Sequence, residues 1–216
     1  MKKSKARIPS LHKKQKFVIV GVVLCLALLI VGLALRGNSG KSTNGVVTHS
    51  SDEPSEVRPG DDYNWQGKAK DPKKIKIPSI GVNAFIQKVG IDQNKEVAVP
   101  NNLFMVGWFI DTVRPGDKGL SLIVGHVSGR RNDGIFKELE KFKQGDEYSV
   151  ELGDGTAIKY KVIGKQSALA KDSVSIMFSQ NPKVSYQLNL VTCSGKFDEK
   201  TRSYAERLTV MSEQVK

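Results

Sequence analysis

The sequence predicts an all-β domain, either a closed barrel or a sandwich, set behind one membrane-spanning segment and a flexible tether. Three observations carry this reading. Residues 17–35 are a 19-residue apolar run without a charge, residues 36–70 are rich in small polar residues, and from Asp71 onward short alternating apolar runs are divided by turns. The elements follow in chain order.

Residues 1–16 hold seven of the 34 Lys/Arg and no acid, whereas the remaining 200 residues hold 27 basic and 22 acidic side chains. The net charge of +12 is thus concentrated in a tail, and the folded part is only mildly basic. That distribution argues against a nucleic-acid partner. The tail precedes FVIVGVVLCLALLIVGLAL at 17–35, which as a helix would cover about 28 Å, close to the roughly 30 Å of a hydrocarbon core. Lys13, Lys14 and Lys16 flank it on one side and only Arg36 on the other. Basic residues resist translocation, so residues 1–16 are expected in the cytoplasm as the basic tail of a single-pass signal anchor, and the rest outside the cell. The rival is a cleaved signal peptide, for which Gly32 and Ala34 offer a weak cleavage site. Its apolar region would ordinarily be shorter.

In residues 36–70, Gly, Ser, Thr, Asn and Pro fill 17 of 35 positions. Such a stretch buries too little to offset its conformational entropy, so a tether spanning roughly 30–35 Å root-mean-square is expected. Tyr63 and Trp65 are the exceptions, suited to dock as an N-terminal arm.

Residues 71–216 carry the folded domain. Ile75 and Ile77 alternate, as do Val82, Ala84 and Ile86, and Leu120, Leu122 and Val124 lead to His126. Tyr148, Val150 and Leu152 run into Gly153-Asp154-Gly155, after which Ile158, Tyr160 and Val162 return, a hairpin signal. Tyr186, Leu188 and Leu190 precede Cys193, and Tyr204, Leu208 and Val210 close the chain. Between them Ile135, Phe136, Leu139 and Phe142 predict one helix, capped by Asn132 or Asp133 and ended by Gly145. About eight strands with one helix suit a barrel or a sandwich.

Chemistry is scarce, which narrows the choice. The two cysteines, Cys25 and Cys193, cannot form a disulfide framework, and no CxxC pair exists. Cys25 lies mid-span as a small apolar residue, which leaves Cys193 as a lone thiol outside the cell. A thiol there invites oxidation unless it acts, although a buried small hydrophobe is the plain alternative. With Tyr186, Leu188 and Leu190 facing the core, Gln187, Asn189, Val191 and Cys193 face away from it. On the last strand Leu208 and Val210 face the core, so Ala205, Arg207 and Thr209 face away. If these strands pair around residues 194–203, Cys193 and Arg207 share a surface, and Arg207 becomes a candidate clamp instead of a solvated charge. His126 is the sole histidine of the folded part, since His12 and His49 lie in the tail and the tether. No acidic cluster has calcium spacing, so neither metal nor cofactor is expected.

IVGHVSG at 123–129, GIFKELEKFKQGD at 134–146, LVTCSG at 190–195 and YAERLTV at 204–210 together resemble the sortases, cysteine transpeptidases of bacterial cell surfaces. IKIPSIGVNAFIQKVGID at 75–92 and VGWF at 106–109 extend the likeness and are most similar to class F members. The likeness covers about residues 74–211. It implies an eight-stranded β-barrel with one or two short helices. It also implies Cys193 as nucleophile, His126 as general acid and base, and Arg207 as stabiliser of the oxyanion or the substrate. One departure stands out: class F is expected to carry arginine directly after the tyrosine, where this chain has Ala205. Arg207 matches the position used in other classes.

The resemblance further implies cleavage of a Leu-Pro-x-Thr-Gly-like sorting signal through a thioacyl enzyme, then transfer to an amine of the cell wall or of a pilin. The thiolate–imidazolium pair would be a minor species at neutral pH. Partners would be proteins with a C-terminal sorting signal, brought near by the shared membrane. Val174, Ile176, Met177 and Phe178, within residues 171–183, would wall the Leu-Pro part, unless they merely pack the barrel. A hydrolase releasing surface proteins and a non-enzymatic surface-binding barrel are the alternatives.

Overall fold

Ile75 and Ile77 are fully buried on a strand whose intervening Lys76 is exposed. That alternation builds the whole domain. In the computed structural model, which describes residues 45–51 and 53–215, nine strands form one sheet: β1 (Val46–Val47), β2 (Pro72–Ile77), β3 (Val82–Val89), β4 (Val106–Phe109), β5 (Gly119–Gly125), β6 (Glu147–Leu152), β7 (Ala157–Leu169), β8 (Tyr186–Asp198) and β9 (Ser203–Gln214). The order is β1-β3-β2-β6-β7-β9-β8-β5-β4, and β4 pairs back onto β3 through Ile86 and Val106. Strands β2 to β9 therefore close an eight-stranded barrel, which removes both sheet edges. Of the two architectures the strand count allowed, the barrel is the one formed.

The interior holds Ile75, Ile77, Ile86, Trp108, Ile123, Leu188, Leu190, Leu208 and Val210 in one cluster. The expected hairpin is β6–β7, with Val150 opposite Ile158 and Tyr148 opposite Tyr160, and Gly155 takes φ +86° in its turn.

The expected helix over 135–142 is not formed. Turns lead into a three-residue 3-10 segment, Leu139–Lys141. The first-turn donors, which an α-helix would also leave free, bond outside: Ile135 N–H to Leu103 O at 3.1 Å and Phe136 N–H to His126 O at 2.9 Å. Leu139 and Phe142 then bond back three residues, to Phe136 O and Leu139 O at 3.1 Å each. The spacing 136, 139, 142 fits that three-residue period equally well, and all three side chains are fully buried in the barrel core. Asn132 caps nothing; its amide donates to Glu56. The one α-helix among the described residues is short, α1 (Val174–Met177), in the β7–β8 connection.

The expected membrane span at 17–35 and the basic tail lie outside the described residues, and among those described no helix is long and apolar enough to cross a membrane. Residues 36–44 of the expected tether also lie outside them. Residues 45–70 differ from a free tether, because directional hydrogen bonds hold them where apolar burial would not. β1 pairs in parallel with β3 at Lys88 and Val89. Ser55 bridges to Asn102, and Trp65 Nε1 donates to Ile86 O at 3.1 Å while the Tyr63 ring rests on Phe85 at 4.8 Å. Tyr63 and Trp65 dock as expected, but the docked strip begins well before them.

Candidate active site

The barrel is apolar on part of its outer face as well. Val89, Phe109, Leu122, Val124, Met177 and Val191 form a second buried cluster there. The side chains belong to β3, β4, β5, β8 and α1, and alternate with those that fill the interior. Cys193 extends this outward row of β8 two residues beyond Val191. It stands directly opposite Arg207 in the antiparallel β8–β9 ladder. Opposed residues of such a pair share a face and have Cβ atoms about 4.5–5.5 Å apart, so the thiol and the guanidinium leave one surface together.

His126 reaches the same place from the other side. β5 runs parallel to β8, and their last rung is Val124 with Val191. Two residues further along each chain come His126 and Cys193, so both are delivered to the same end of adjacent strands. Thr192 fastens the two ends, its hydroxyl donating to Gly125 O at 2.8 Å. Close packing then sets the turn out of β5. A Cβ on Gly125 would meet the Phe136 ring at 2.6 Å, and one on Gly134 would meet His126 O at 2.3 Å. Enlarging Gly134 would push on the histidine's own backbone, and enlarging Gly125 would displace the Phe136 ring.

The His126 ring is fixed by one bond, Nε2 to Pro100 O at 2.8 Å. A carbonyl oxygen only accepts, so Nε2 carries the proton and Nδ1 is left as the basic nitrogen. Burial lowers the imidazole's pKa, partly offset by the Pro100 bond. Burial likewise raises the Cys193 thiol, against the pull of the Arg207 charge, and the nearby Glu96 carboxylate adds to the rise. Both directions favour a neutral thiol beside a neutral imidazole at pH 7.

Arg207 is partly committed. Its Nη1 donates to Tyr204 O and Glu206 O, both at 3.0 Å, and among the described residues no carboxylate pairs with it. One nitrogen is thereby braced against its own strand while the charge stays uncompensated. The other candidate arginines are placed differently: Arg202 sits at φ +51° in the β8–β9 turn, and Arg130 pairs with Glu53 at 2.7 Å. Ala205 shares the outward face of Arg207 and is exposed.

The β7–β8 connection divides the four apolar residues expected to wall a substrate. Met177 is buried in the outer cluster, Ile176 is half-buried, and Val174 and Phe178 are exposed. Phe178 meets the Phe109 ring edge-on at 5.8 Å. Two buried amides of β8 hold this connection down. Asn189 Nδ2 donates to Met177 O at 2.9 Å, and Gln187 Nε2 donates to Ser179 O at 2.9 Å while its Oε1 accepts from Asn181 N at 2.8 Å. The alternation placed both amides on the site face, and that was the available sign of their role. Nothing in the sequence marked Pro100 or Glu56. Among the described residues no three of His, Cys, Asp and Glu come together as a metal site would require.

Comparison with known proteins bears on the family and the fold. The sortase domain family model matches residues 75–215. Among solved structures, a lid mutant of sortase A from Corynebacterium diphtheriae is 23% identical with a TM-score of 0.53, over 70% of this chain and 73% of that one. Sortase C1 from Streptococcus agalactiae is 21% identical at a TM-score of 0.51, over 69% and 70%. Sortase C1 from Streptococcus suis is 19% identical at 0.52, over 68% and 74%. At these identities the likeness is one of fold. No curated protein sequence matches.

Proposed function

This chain belongs to the sortase family, and from that premise we propose that it is a membrane-anchored cysteine transpeptidase acting on proteins with a Leu-Pro-x-Thr-Gly-like sorting signal. The carrying observation is the Cys193–Arg207 rung lying beside the end of the strand that delivers His126.

The chemistry follows from the neutral resting pair. As the Cys193 sulfur bonds to the threonine carbonyl carbon, its proton passes to Nδ1 of His126, and the carbonyl oxygen takes the negative charge beside Arg207. The C–N bond to glycine then breaks, and the imidazolium returns its proton to the departing amine. The thioester left on Cys193 is attacked by an incoming amine of the cell wall or a pilin. That amine gives a proton to His126, the C–S bond breaks, and the thiolate recovers the proton. Because the pair rests neutral, each cycle would begin with an uphill proton transfer, which would slow turnover.

Val174, Ile176 and Phe178, with Met177 packed on the outer cluster, would wall the Leu-Pro part of the signal. The class F reading rests on the motifs at 75–92 and 106–109, with Ala205 as its departure.

Mass spectrometry of the full chain mixed with candidate sorting peptides tests the proposal. An acyl adduct on Cys193, converted by a glycine-based amine into a ligated peptide, is the expected result. Conversion to free acid alone would make the protein a hydrolase, and no adduct with any peptide would leave a binding barrel.

A further inference from the structure

The residues that hold His126 do not all belong to the barrel. Pro100, whose carbonyl takes the imidazole N–H, lies in the β3–β4 connection, and the turn at 129–132 follows His126 directly. The docked N-terminal strip touches both. On one side Ser55 N donates to Asn101 O and Leu103 N donates to Ser55 O, each at 2.9 Å, and Asn102 Nδ2 donates to Val57 O at 2.9 Å. On the other side the next residue, Glu56, accepts from Arg130 N at 2.6 Å and Arg131 N at 3.2 Å through Oε1, and from Asn132 Nδ2 at 2.7 Å through Oε2. Glu53 adds its ion pair with Arg130. Gly129 makes room for this carboxylate, since a Cβ there would meet Glu56 Oε1 at 2.6 Å.

We infer that Glu56 is a positioning residue for His126. Its carboxylate ties the turn after the histidine to the strip, and the strip is tied to the segment presenting the Pro100 carbonyl. The carboxylate thus adds a second tie, beyond the Ile135 N–H bond to Leu103 O, between the turn after the imidazole and the segment presenting the acceptor that sets its tautomer. Without it that backbone bond alone holds the two segments, and the bond that keeps the proton on Nε2 and leaves Nδ1 basic loosens. Segment 53–57 is therefore part of the catalytic domain's working structure, although it precedes the family-matched residues. The inference rests on the proposed role of His126 in the reaction, and its first test does not.

That test is the exchange of the His126 Nε2 proton with water, followed by nuclear magnetic resonance on the full chain without substrate. The wild-type signal is expected to be protected and the Glu56→Ala signal to exchange rapidly; equal protection in both overturns the inference. In peptide cleavage Glu56→Ala is expected to lower kcat by about 10- to 10²-fold, up to the cost of a catalytic group misplaced by about 1 Å. KM and the rate of Cys193 alkylation by iodoacetamide should stay within about twofold of wild type. Glu56→Gln, which still offers an oxygen to the two backbone amides, should recover most of kcat. A Gln variant no better than Ala, an unchanged kcat in Ala, or a kcat loss matched by lost alkylation and a lowered thermal midpoint would each overturn it. If wild-type protein forms no acyl adduct, the transpeptidase reading fails while the proton-exchange result still decides the role of Glu56.

Discussion

Cys193 and Arg207 occupy one rung of the β8–β9 ladder, and the next two outward positions behind them, Val191 and Thr209, form another such rung. The thiol and the guanidinium are therefore set by strand register, which no loop movement alters. This makes Arg207 the arginine to test. Cys193→Ala is expected to abolish acyl-enzyme formation, and His126→Ala to nearly abolish turnover in a barrel that still folds. Arg207→Ala should cost about 10²–10³ in rate, the usual effect of losing one oxyanion donor. Arg207→Lys should recover little, since an ammonium lacks the planar fork, one nitrogen of which is braced on the Tyr204 and Glu206 carbonyls. Arg202→Ala is the control, and peptide kinetics with each variant decide. A silent Arg207→Ala beside a damaging Arg202→Ala would move the site to the turn.

The pH dependence of the thiol has a definite sign. Burial holds the Cys193 thiol above its ordinary value, Arg207 lowers it and Glu96 raises it. The alkylation rate should therefore keep rising beyond the range where an exposed thiol levels off. Glu96→Gln should move its midpoint down by removing a negative neighbour of the thiolate, and Arg207→Ala should move it up. Stopped-flow alkylation across the alkaline range measures both. Equal midpoints in all three proteins would contradict the electrostatics described.

His126 gives a second, opposite dependence, on stability. Burial lowers its pKa in the folded chain, so below about 6.5 the unfolded chain binds a proton that the folded chain still refuses. Stability is full above that value and falls as pH drops through it. Denaturant midpoints for wild type and His126→Gln should converge as pH falls from about 7.5 to about 5.5, with wild type losing more. Parallel curves would count against a buried neutral imidazole.

The architecture was legible wherever one side-chain period decides it. Alternation in β2, β3, β6, β7 and β8 is enforced by a single packed interior, and the same alternation placed Cys193, Arg207 and Asn189 outward. It could not separate a helix from successive three-residue turns at Phe136, Leu139 and Phe142. There the difference lies in the backbone bonds, which run back three residues from Leu139 and Phe142, and the apolar spacing is the same for both periods. The strip at 45–70 misled for a different reason. Its composition reports how little it buries, whereas its attachment depends on carboxylate and carbonyl acceptors, which leave no periodic trace. The three apolar residues beside Met177 likewise read alike in sequence, and only the fold of α1 shows which one packs.

Asn189 tests whether the β7–β8 connection is held from below. Its side chain is fully buried and donates to both Met177 O and Ser179 O, at 2.9 and 3.3 Å. Asn189→Ala leaves those carbonyls and the Gln187 amide short of a partner, at a cost of about 1–3 kcal/mol. The thermal midpoint should fall accordingly. KM for sorting peptides should rise more than kcat falls, because the loosened segment carries the wall beside Phe178 and not the Cys193 rung. Asn189→Asp is the sharper variant, since it keeps the shape and loses the donors. A normal KM in both variants would remove this connection from substrate recognition.

The final prediction concerns orientation in the membrane. The seven basic residues in 1–16 and the uncharged run at 17–35 are expected to keep the N-terminus inside and send the barrel out. The proposed chemistry depends on that placement, because sorting-signal proteins and acceptor amines would meet the thiol only outside. Protease added to intact spheroplasts should remove the barrel and leave a short N-terminal stub, detected with a tag placed before Lys2. Replacing the basic residues of 1–16 by neutral ones and adding lysines after Arg36 should invert part of the population, since the asymmetry of Lys and Arg sets the direction. A barrel protected in intact spheroplasts and digested only after lysis would place the domain inside, and the transfer to an envelope amine would then have no route to its acceptor. A barrel released whole into the medium, with no stub left behind, would show instead that the run is cut near Leu35 as a signal peptide.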